Sequence, residues 1–423
     1  MLGPTRMDRV TQGWARATAS SRGLSLVSFA LLLLLVLPWI PAEDHAGSHT
    51  YVHLAAAFLR GSLAIERPIY DAALVDGRYY VVFPPAPAVL LMPFVAIFGT
   101  QFKTLLLTPV LGALAAFFAH RLALRTGASP AVAGWTTFGL VFGTSLLLCI
   151  VIPIDTYLAH CCAMLFMLIA LDEASGPRRG WRVGLALGLA ALSRQLSVLT
   201  VPFAWALLLA PGEGGRDRHA GLRAVVASAI GLALCAGFYL YLNWARFGDP
   251  FDSGYRHLTE QGWYGYRQQR WGNFHWIYLP SNLIRMFVNG FHVQFLPPSL
   301  LVPRMDRFGN SLTFASPFFY YAFWGRNRDA PWLDRVGWTC IGLTCLAVLL
   351  HKSALGGEQI NGVRYALDFA PLLFVFTVLG FERARGSVYE WLGKRLVAYA
   401  IALNLVAFVL IPIAGWALRR LPD

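Results

Sequence analysis

The sequence predicts an all-α, polytopic membrane protein of about eleven spanning helices. Of its 423 residues, 57% are hydrophobic and only 13% are charged, whereas soluble domains carry about 25% charged residues. The mean hydropathy is +0.54. Apolar runs recur along the whole chain and are separated by short turns that contain arginine. Lipid is therefore the expected solvent for most of the chain.

The formal net charge of +13 does not indicate a nucleic-acid-binding protein. The basic residues occur singly and in pairs between apolar runs, which is typical of anchors that flank membrane spans and not of a phosphate-tracking patch. All six cysteines lie inside apolar runs, so neither a disulfide framework nor a thiolate metal site is indicated. We expect the lipid bilayer, and no nucleic acid, as a partner.

The first apolar run, Leu24 to Ile40, follows several arginines and has the general appearance of a signal peptide. It lacks a small-residue cleavage site, because Pro38, Trp39 and Pro41 occupy its end. We therefore interpret it as a retained anchor, with residues 1–23 as a cytoplasmic N-terminus.

Two rules define the predicted topology: a span requires roughly 20 apolar residues, and short arginine-rich loops face the cytoplasm. They place two large loops, residues 42–102 and 243–310, on the outer face. The predicted spans are residues 24–40, 103–120, 131–152, 156–171, 222–242, 311–325, 333–351, 366–381 and 396–416. Arg419 and Arg420 would lie outside, which is the one clear violation of the charge rule.

Two apolar segments are too short or too broken to be ordinary spans. Residues 183–210 are about half as long as two spans require, so we predict a short helical hairpin with Ser193, Arg194 and Gln195 at its tip. Lipid would not tolerate that tip, which should lie inside protein or in a wet cavity. The run Pro84 to Phe98 contains four prolines and suits an interfacial or re-entrant segment.

The pair Gly184 and Gly188 has the spacing of a small-residue helix-packing motif. It is consistent with a dimer interface and equally with packing of the internal hairpin.

With the basic turns assigned to the inner face, the remaining ionisable and aromatic residues collect on the outer face. They are Glu43 and Asp44 after the first span, Tyr51 and Arg78 in the first loop, Asp155 and His160 at an outer turn, Arg194 at the hairpin tip, Tyr255 and Arg256 in the second loop, and Arg364 and Tyr365 before the tenth span. Transfer of a sugar from a lipid phosphate requires such a set: a carboxylate base for the acceptor hydroxyl, cations for the leaving phosphate and rings for the sugar face.

Several of these residues also have a purely structural interpretation. Glu43 and Asp44 are consistent with solvated residues at a helix end, and Asp155 with an N-cap of the helix that follows it. Arg364 is consistent with a cation at the membrane edge, and the loop aromatics with an interfacial belt. The histidines form no HxxxH pattern with a third ligand, so a divalent metal is not supported and no cofactor is expected.

The order and spacing of several motifs resemble the GT-C class of membrane glycosyltransferases, which use polyprenyl-phosphate sugars and include protein O-mannosyltransferases and the aminoarabinose transferase of lipid A. The motifs are the acidic pair after the first span, Ala55 to Gly61, Asp76 to Gly99, Leu185 to Gln195, Asn243 to Tyr255, Phe308 to Phe319 and Asn361 to Leu373. Together they cover nearly the whole chain. The resemblance implies a single GT-C-like bundle over residues 1–423 whose outer first loop carries juxtamembrane helices.

The resemblance also implies an inverting transfer from a polyprenyl-phosphate sugar to an envelope glycan, lipid or protein, at the periplasmic face of the bacterial inner membrane. It implies Asp44, with Glu43, as the general base. Arg194 and Arg364 would face the lipid phosphate. No DxD motif is present, so a metal-dependent mechanism of the oligosaccharyltransferase kind is not supported.

The chain departs from the aminoarabinose-type pattern in two places. In that pattern an Asp-Glu pair lies closer to the loop tyrosine, at the place that Gly47 and Ser48 occupy here, and Asp155 is therefore a rival base. The basic residue often found before the Pro-Pro pair is also absent. Arg78 is the nearest cation to that pair.

Two other functions remain open at this point. A transporter or flippase of lipid-linked sugars would require two-sided access and charges near the membrane midplane, where only Arg194 qualifies. An O-antigen-type polymerase or ligase shares the architecture but uses a diphosphate-linked donor.

Overall fold

The computed structural model describes residues 19–45, 49–69, 72–211, 218–258, 262–296, 302–305, 310–327, 330–352 and 364–418. Within these ranges the chain is mainly helical, and its strands form two short antiparallel hairpins. Six of the described helices are long and apolar enough to cross a membrane, or seven if a bent pair counts as one span. The all-α polytopic fold class is confirmed, whereas the predicted count of about eleven spans is not.

The first span, α1 (Ser21–Val36), continues into the 3-10 helix Leu37–His45, in agreement with the span predicted at residues 24–40. The first loop then contains α2 (Thr50–Leu59), β1 (Ala72–Val75), β2 (Arg78–Val81) and α3 (Ala86–Phe98). The hairpin pairs Ala72 with Val81 and turns at Asp76 and Gly77. At 13 residues, α3 is too short to cross a bilayer.

Three predicted spans follow as α4 (Thr108–Arg125), the pair α5 (Pro130–Phe142) and α6 (Ser145–Val151), and α7 (Leu158–Ser175). The pair is bent by 55° and replaces the single span predicted at residues 131–152. Local chemistry explains the break, because Thr144 ends one helix and caps the next by accepting from the Leu146 amide at 3.1 Å. The Gly143 carbonyl, next to that break, accepts instead from Ser316 Oγ at 2.6 Å.

The predicted hairpin is confirmed as two short apolar helices, α8 (Gly180–Ala191) and α9 (Val201–Leu209), joined through the 3-10 helix Gln195–Thr200. Arg178 Nη1 donates to the Ala210 carbonyl at 2.8 Å, so the two ends of the hairpin lie together. The following helix, α10 (Arg218–Phe247), is 30 residues long.

Glycines pack the hairpin against α10. A Cβ atom on Gly184 would lie 1.9 Å from the Ser228 carbonyl oxygen, and one on Gly180 would lie 1.9 Å from that of Ala224. Since only glycine permits this approach, the GxxxG spacing serves internal packing here. The opposite face of α10 exposes apolar side chains, among them Ile230 and Leu234, as expected for contact with lipid.

The second loop contains α11 (Gly262–Trp271), α12 (Leu279–Phe287), β3 (Val293–Leu296) and β4 (Val302–Met305). The chain continues as α13 (Leu312–Ala315), the 3-10 helix Pro317–Trp324, α14 (Pro331–Leu350), the 3-10 helix Arg364–Asp368, α15 (Ala370–Ala384), α16 (Val388–Leu405), a π-helical turn at Val406–Leu410 and α17 (Ile411–Leu418). The predicted spans at residues 333–351 and 396–416 are therefore helical throughout.

The span predicted at residues 311–325 is wrong as a regular helix. It is one turn of α-helix followed by an 8-residue 3-10 helix. Pro317 has no amide hydrogen to continue the ladder of α13. Gly380 of α15 approaches this segment so closely that a Cβ atom would lie 1.9 Å from the Tyr321 carbonyl oxygen. Helical periodicity in the sequence does not reveal this irregular, tightly packed path.

Helix α7 separates two polar regions. Its 18 residues correspond to a length of about 27 Å. Asp155 precedes its first residue, and Asp172 and Glu173 lie in its last turns. At that last end Asp172 pairs with Arg121 and Arg125, and Glu173 pairs with Arg179. The basic turns and the candidate site thus occupy opposite ends of one buried helix.

Candidate functional site

Asp155 joins the first loop to the bundle. Its side chain is 3% exposed, and Oδ2 accepts a hydrogen bond from the Tyr51 amide at 2.7 Å. Tyr51 is the second residue of α2, so the carboxylate caps the N-terminus of α2. It makes no side-chain cap to the helix that follows it. The capping interpretation therefore applies to a different helix from the one expected.

Asp155 also orders the side chain that follows the amide it binds. Tyr51 is 1% exposed. Burial raises the pKa of Tyr51 well above its usual value, and the neighbouring Tyr255 and Asp155 raise it further. The phenol is therefore a neutral hydroxyl at physiological pH, able to donate a hydrogen bond.

The hairpin tip is held by a buried ion pair. Arg194 Nε lies 2.6 Å from Asp368 Oδ1, and Nη2 lies 2.8 Å from Oδ2. The Arg194 guanidinium also stands over the Tyr365 ring, 4.7 Å from its centroid. The tip is thereby fixed to the start of α15, inside protein as expected. The sequence analysis did not identify Asp368 as the partner, although an isolated acid and an isolated arginine in apolar surroundings favour pairing.

Arg364 lies beside this pair and has unused donors. Its guanidinium stands 4.6 Å from the Tyr157 ring centroid and 5.3 Å from that of Tyr365. Its Nε and Nη1 atoms are buried and have no hydrogen-bond partner in the described part of the chain. Since buried polar atoms are nearly always paired, these two donors indicate a place for a ligand.

His160 shares this environment. Its side chain is 2% exposed, and its ring centroid lies 5.7 Å from that of Tyr365. Within the described residues, its Nδ1 also has no hydrogen-bond partner. An imidazole nitrogen can accept or donate a hydrogen bond, so His160 adds a polar group suited to a hydroxyl.

The second loop contributes Tyr255. The Phe83 ring lies between the two tyrosines, with its centroid 6.3 Å from Tyr51 and 6.2 Å from Tyr255. Tyr255 is held by the turn around Asp252, whose carboxylate accepts from the Gly254 amide at 2.9 Å and contacts His257 Nε2 at 2.7 Å. Gly254 has φ +84°, a conformation that favours glycine.

The two outer loops are also joined directly. Arg246, near the end of α10, is 7% exposed. Its Nη1 donates to the Val81 carbonyl and its Nη2 to Asn243 Oδ1, both at 2.8 Å. Strand β2 of the first loop is therefore fastened to the helix from which the second loop begins.

His351 is a site neighbour that the sequence analysis missed. Its ring centroid lies 6.2 Å from that of Tyr365 and 5.0 Å from that of Phe274. It ends α14, and only its position at the boundary of an apolar run distinguishes it in the sequence.

The other predicted site residues lie elsewhere or are not described. Glu43 Oε1 accepts from the Thr104 amide at 2.6 Å and from its hydroxyl at 2.5 Å, which stabilises the turn before α4. Arg78 is exposed in β2, and Arg256 pairs with Asp252 at 2.7 Å. The side chain of Asp44 lies outside the described residues. In the described ranges no group of three or more His, Cys, Asp or Glu side chains is arranged to hold a metal ion.

The fold is similar to that of ArnT from Cupriavidus metallidurans, whose crystal structure is bound to undecaprenyl phosphate. The TM-score is 0.50 at 13% sequence identity, over 93% of this chain and 72% of that chain. A second similar structure is the archaeal oligosaccharyltransferase AglB from Archaeoglobus fulgidus in complex with an inhibitory peptide and a dolichol-phosphate, with a TM-score of 0.47 at 12% identity, over 93% of this chain and 55% of that chain. No protein-family model and no curated protein matches the sequence. The GT-C-like membrane fold expected from the motifs is confirmed by the similarity to ArnT.

Proposed function

We propose that this protein is an inverting glycosyltransferase that moves a sugar from a polyprenyl phosphate to an envelope acceptor, at the periplasmic face of the bacterial inner membrane. The observation that carries the proposal is Arg364, with its two buried donors that lack a partner among the described residues. Arginine binds phosphate oxygens through paired N–H groups. ArnT, whose fold this chain shares, is bound to undecaprenyl phosphate.

The charges around the site favour Arg364 over Arg194 as the phosphate ligand. The charge of Arg194 is balanced by Asp368 through two short hydrogen bonds. Arg364 has tyrosine rings beside it instead. We propose that Arg364 binds the lipid phosphate and stabilises the charge that develops when the phosphate leaves. Arg194 and Asp368 then hold Tyr365 and the hairpin tip in position.

The polar groups around Arg364 suit the sugar. Tyr51, Tyr255 and Tyr365 offer hydroxyl groups and ring faces, and His160 offers the unpaired Nδ1. Hydroxyl groups of a sugar accept and donate hydrogen bonds to such groups, and its apolar face packs on aromatic rings. This set therefore supports binding of a glycosyl donor, with the identity of the sugar left to the assay below.

For the reaction itself, we propose that the acceptor hydroxyl attacks the anomeric carbon while the bond from that carbon to the phosphate oxygen breaks. The hydroxyl proton passes to a carboxylate acting as general base. Asp155 is the favoured base, because it is buried beside Tyr51 in the site. Asp44 remains the rival implied by the resemblance, and Glu43 is proposed to act through the turn that it caps. No cofactor or metal is required by this scheme.

The test is transfer from a labelled polyprenyl-phosphate sugar by the purified protein in liposomes. We expect Asp155→Asn to lose most activity while retaining the fold, because asparagine still accepts a hydrogen bond from the Tyr51 amide. Asp44→Asn tests the rival base, and Glu43→Gln is a stability control. Full activity in both aspartate variants would exclude the carboxylate mechanism. A chelator should leave the rate unchanged.

The same preparation distinguishes the other functions. A transferase consumes donor in detergent micelles, where no second compartment exists, whereas a flippase moves lipid between compartments without breaking the glycosidic bond. A polymerase or ligase of the O-antigen type would turn over diphosphate-linked donors alone. We expect turnover of the monophosphate-linked donor in both micelles and liposomes.

A further inference from the structure

Helix α12 has an inverted distribution of polar and apolar side chains. Asn282 is 1% exposed, whereas Leu283 and Ile284 are 40% and 53% exposed. The residues just outside the helix extend this apolar surface, with Trp276 at 68% and Val288 at 71%. A helix packed on a water-soluble surface would bury its apolar side chains and expose the asparagine. Here the unpartnered face is apolar.

The buried asparagine fixes α12 at a defined height. Asn282 Nδ2 donates to the Leu349 carbonyl at 2.7 Å and to the His351 carbonyl at 3.1 Å. These carbonyls belong to the last turn of α14, which has no further helical amides to bind them. Since α14 is long and apolar enough to span the membrane, its last turn marks a membrane boundary, and α12 lies at that level.

The apolar face of α12 continues the lipid-exposed surface of the span. On α14 itself, Leu343 and Leu346 are 51% and 45% exposed. His351, which follows α14, contacts the Tyr365 ring of the candidate site. The boundary at which α12 lies is therefore on the side of the candidate site.

We propose that α12 is an interfacial helix that inserts its apolar face into the acyl-chain region of the leaflet on the side of the site. Trp276, Leu283, Ile284 and Val288 contact phospholipid chains. A short amphipathic helix of this kind lies in the plane of the interface and adds buried apolar area to the membrane contact. The second loop is thereby attached to the bilayer at a point separate from the spans. This inference rests on the membrane fold and not on the proposed reaction.

The experiment places an environment-sensitive fluorescent amino acid at position 284, in the full-length protein in nanodiscs. Position 269 on α11, where Gln269 is exposed, is the matched control in the same loop. Phospholipids carrying a nitroxide on the acyl chain report contact with lipid, and iodide reports contact with water. We expect the lipid nitroxide to quench position 284 at least twofold more strongly than position 269, and iodide to show the reverse order.

Two results would overturn the proposal. Quenching of position 284 by iodide as strongly as position 269 would show that the face lies in water. Protection of position 284 from both quenchers would show that protein covers it, in which case a second copy of the chain is the occupant. The label at position 283 provides a second reading if the first variant is poorly folded. Loss of transferase activity has no bearing on these readouts, so the two proposals fail independently.

Discussion

The two ends of α7 carry similar residue types in different states. At the inner end Asp172 is fully buried, and Arg121 Nε donates to its two oxygens at 3.0 and 2.9 Å. Arg125 Nη1 adds a contact to the same carboxylate at 2.9 Å. At the other end, Arg364 and His160 carry buried nitrogen atoms without hydrogen-bond partners among the described residues.

This difference separates structural from functional charge. A buried carboxylate surrounded by arginines is a satisfied network, whose loss would leave a costly unpaired charge. A buried guanidinium with unused donors is itself costly, so its presence calls for a ligand that pairs with it. Local rules of satisfaction fail where a protein binds something else. The partially satisfied end of α7 is therefore where we place the chemistry.

The largest expected effect comes from removing the guanidinium of Arg364. We expect Arg364→Ala to lower the rate of sugar transfer by about 10²–10³-fold, as for other groups that stabilise developing charge. The unfolding midpoint should change little, because the removed donors have no protein partners to lose. Arg364→Lys should recover part of the rate, since a cation without the paired N–H groups remains. An unchanged rate in Arg364→Ala would remove the proposed phosphate ligand.

The next effect tests the packing that positions the hairpin tip. We expect Gly184→Leu to destabilise the protein by about 3 kcal/mol, because the added side chain meets the backbone of α10. Denaturant unfolding in detergent measures the change. Gly237→Leu is the matched control on α10, since no atom lies within 4 Å of its Cβ position. Equal destabilisation by both substitutions would contradict the close helix contact.

A smaller effect is expected at the satisfied end. Arg121→Ala removes two donors from Asp172 but leaves Arg125 in place, so we expect a loss of about 1–3 kcal/mol in the free energy of unfolding. The rate of transfer per folded molecule should be unchanged. The measurement pairs chemical unfolding with the transfer assay. A fall in rate comparable to that of Arg364→Ala would erase the distinction between the two ends.

The smallest expected effect is a pH dependence in the first loop. Burial, and then Arg67, lower the pKa of His53 from 6.5 to about 4, and Arg67 Nη2 lies 2.7 Å from its Nε2. The folded state therefore resists protonation, and its full stability above pH 6.5 declines as the pH falls towards 4. We expect a loss of about 1 kcal/mol, reduced by solvent screening because the ring is half-buried. Unfolding between pH 7 and 4 should show a shallower slope in His53→Gln, and an equal slope would contradict this assignment.

The sequence revealed the membrane class and most spans, because length and hydropathy of a segment decide whether lipid accepts it. The hairpin was predictable for the same reason, since residues 183–210 are too short for two crossings. The irregular segment 311–325 was not, because Pro317 and the close approach of Gly380 act through tertiary contacts. The same holds for the bend between α5 and α6.

Candidate site residues were found by chemical type and topology, whereas their partners were not. Grouping polar residues at one face identified Asp155, Arg194, Arg364 and Tyr365 as candidates. Pairing Arg194 with Asp368, or assigning Asp155 to the N-terminus of α2, requires distances between elements far apart in the chain. His351 carried almost no signal, because a single histidine at the end of an apolar run has no distinctive pattern.

The contacts of Arg246 have a mechanical consequence. Because one guanidinium holds both Val81 of the first loop and Asn243 at the root of the second, a displacement of either loop is transmitted to the other. The roof over the site therefore opens as a unit, and a bulky acceptor that lifts one part shifts both Tyr51 and Tyr255. Acceptor size and donor grip are thus linked through a single side chain.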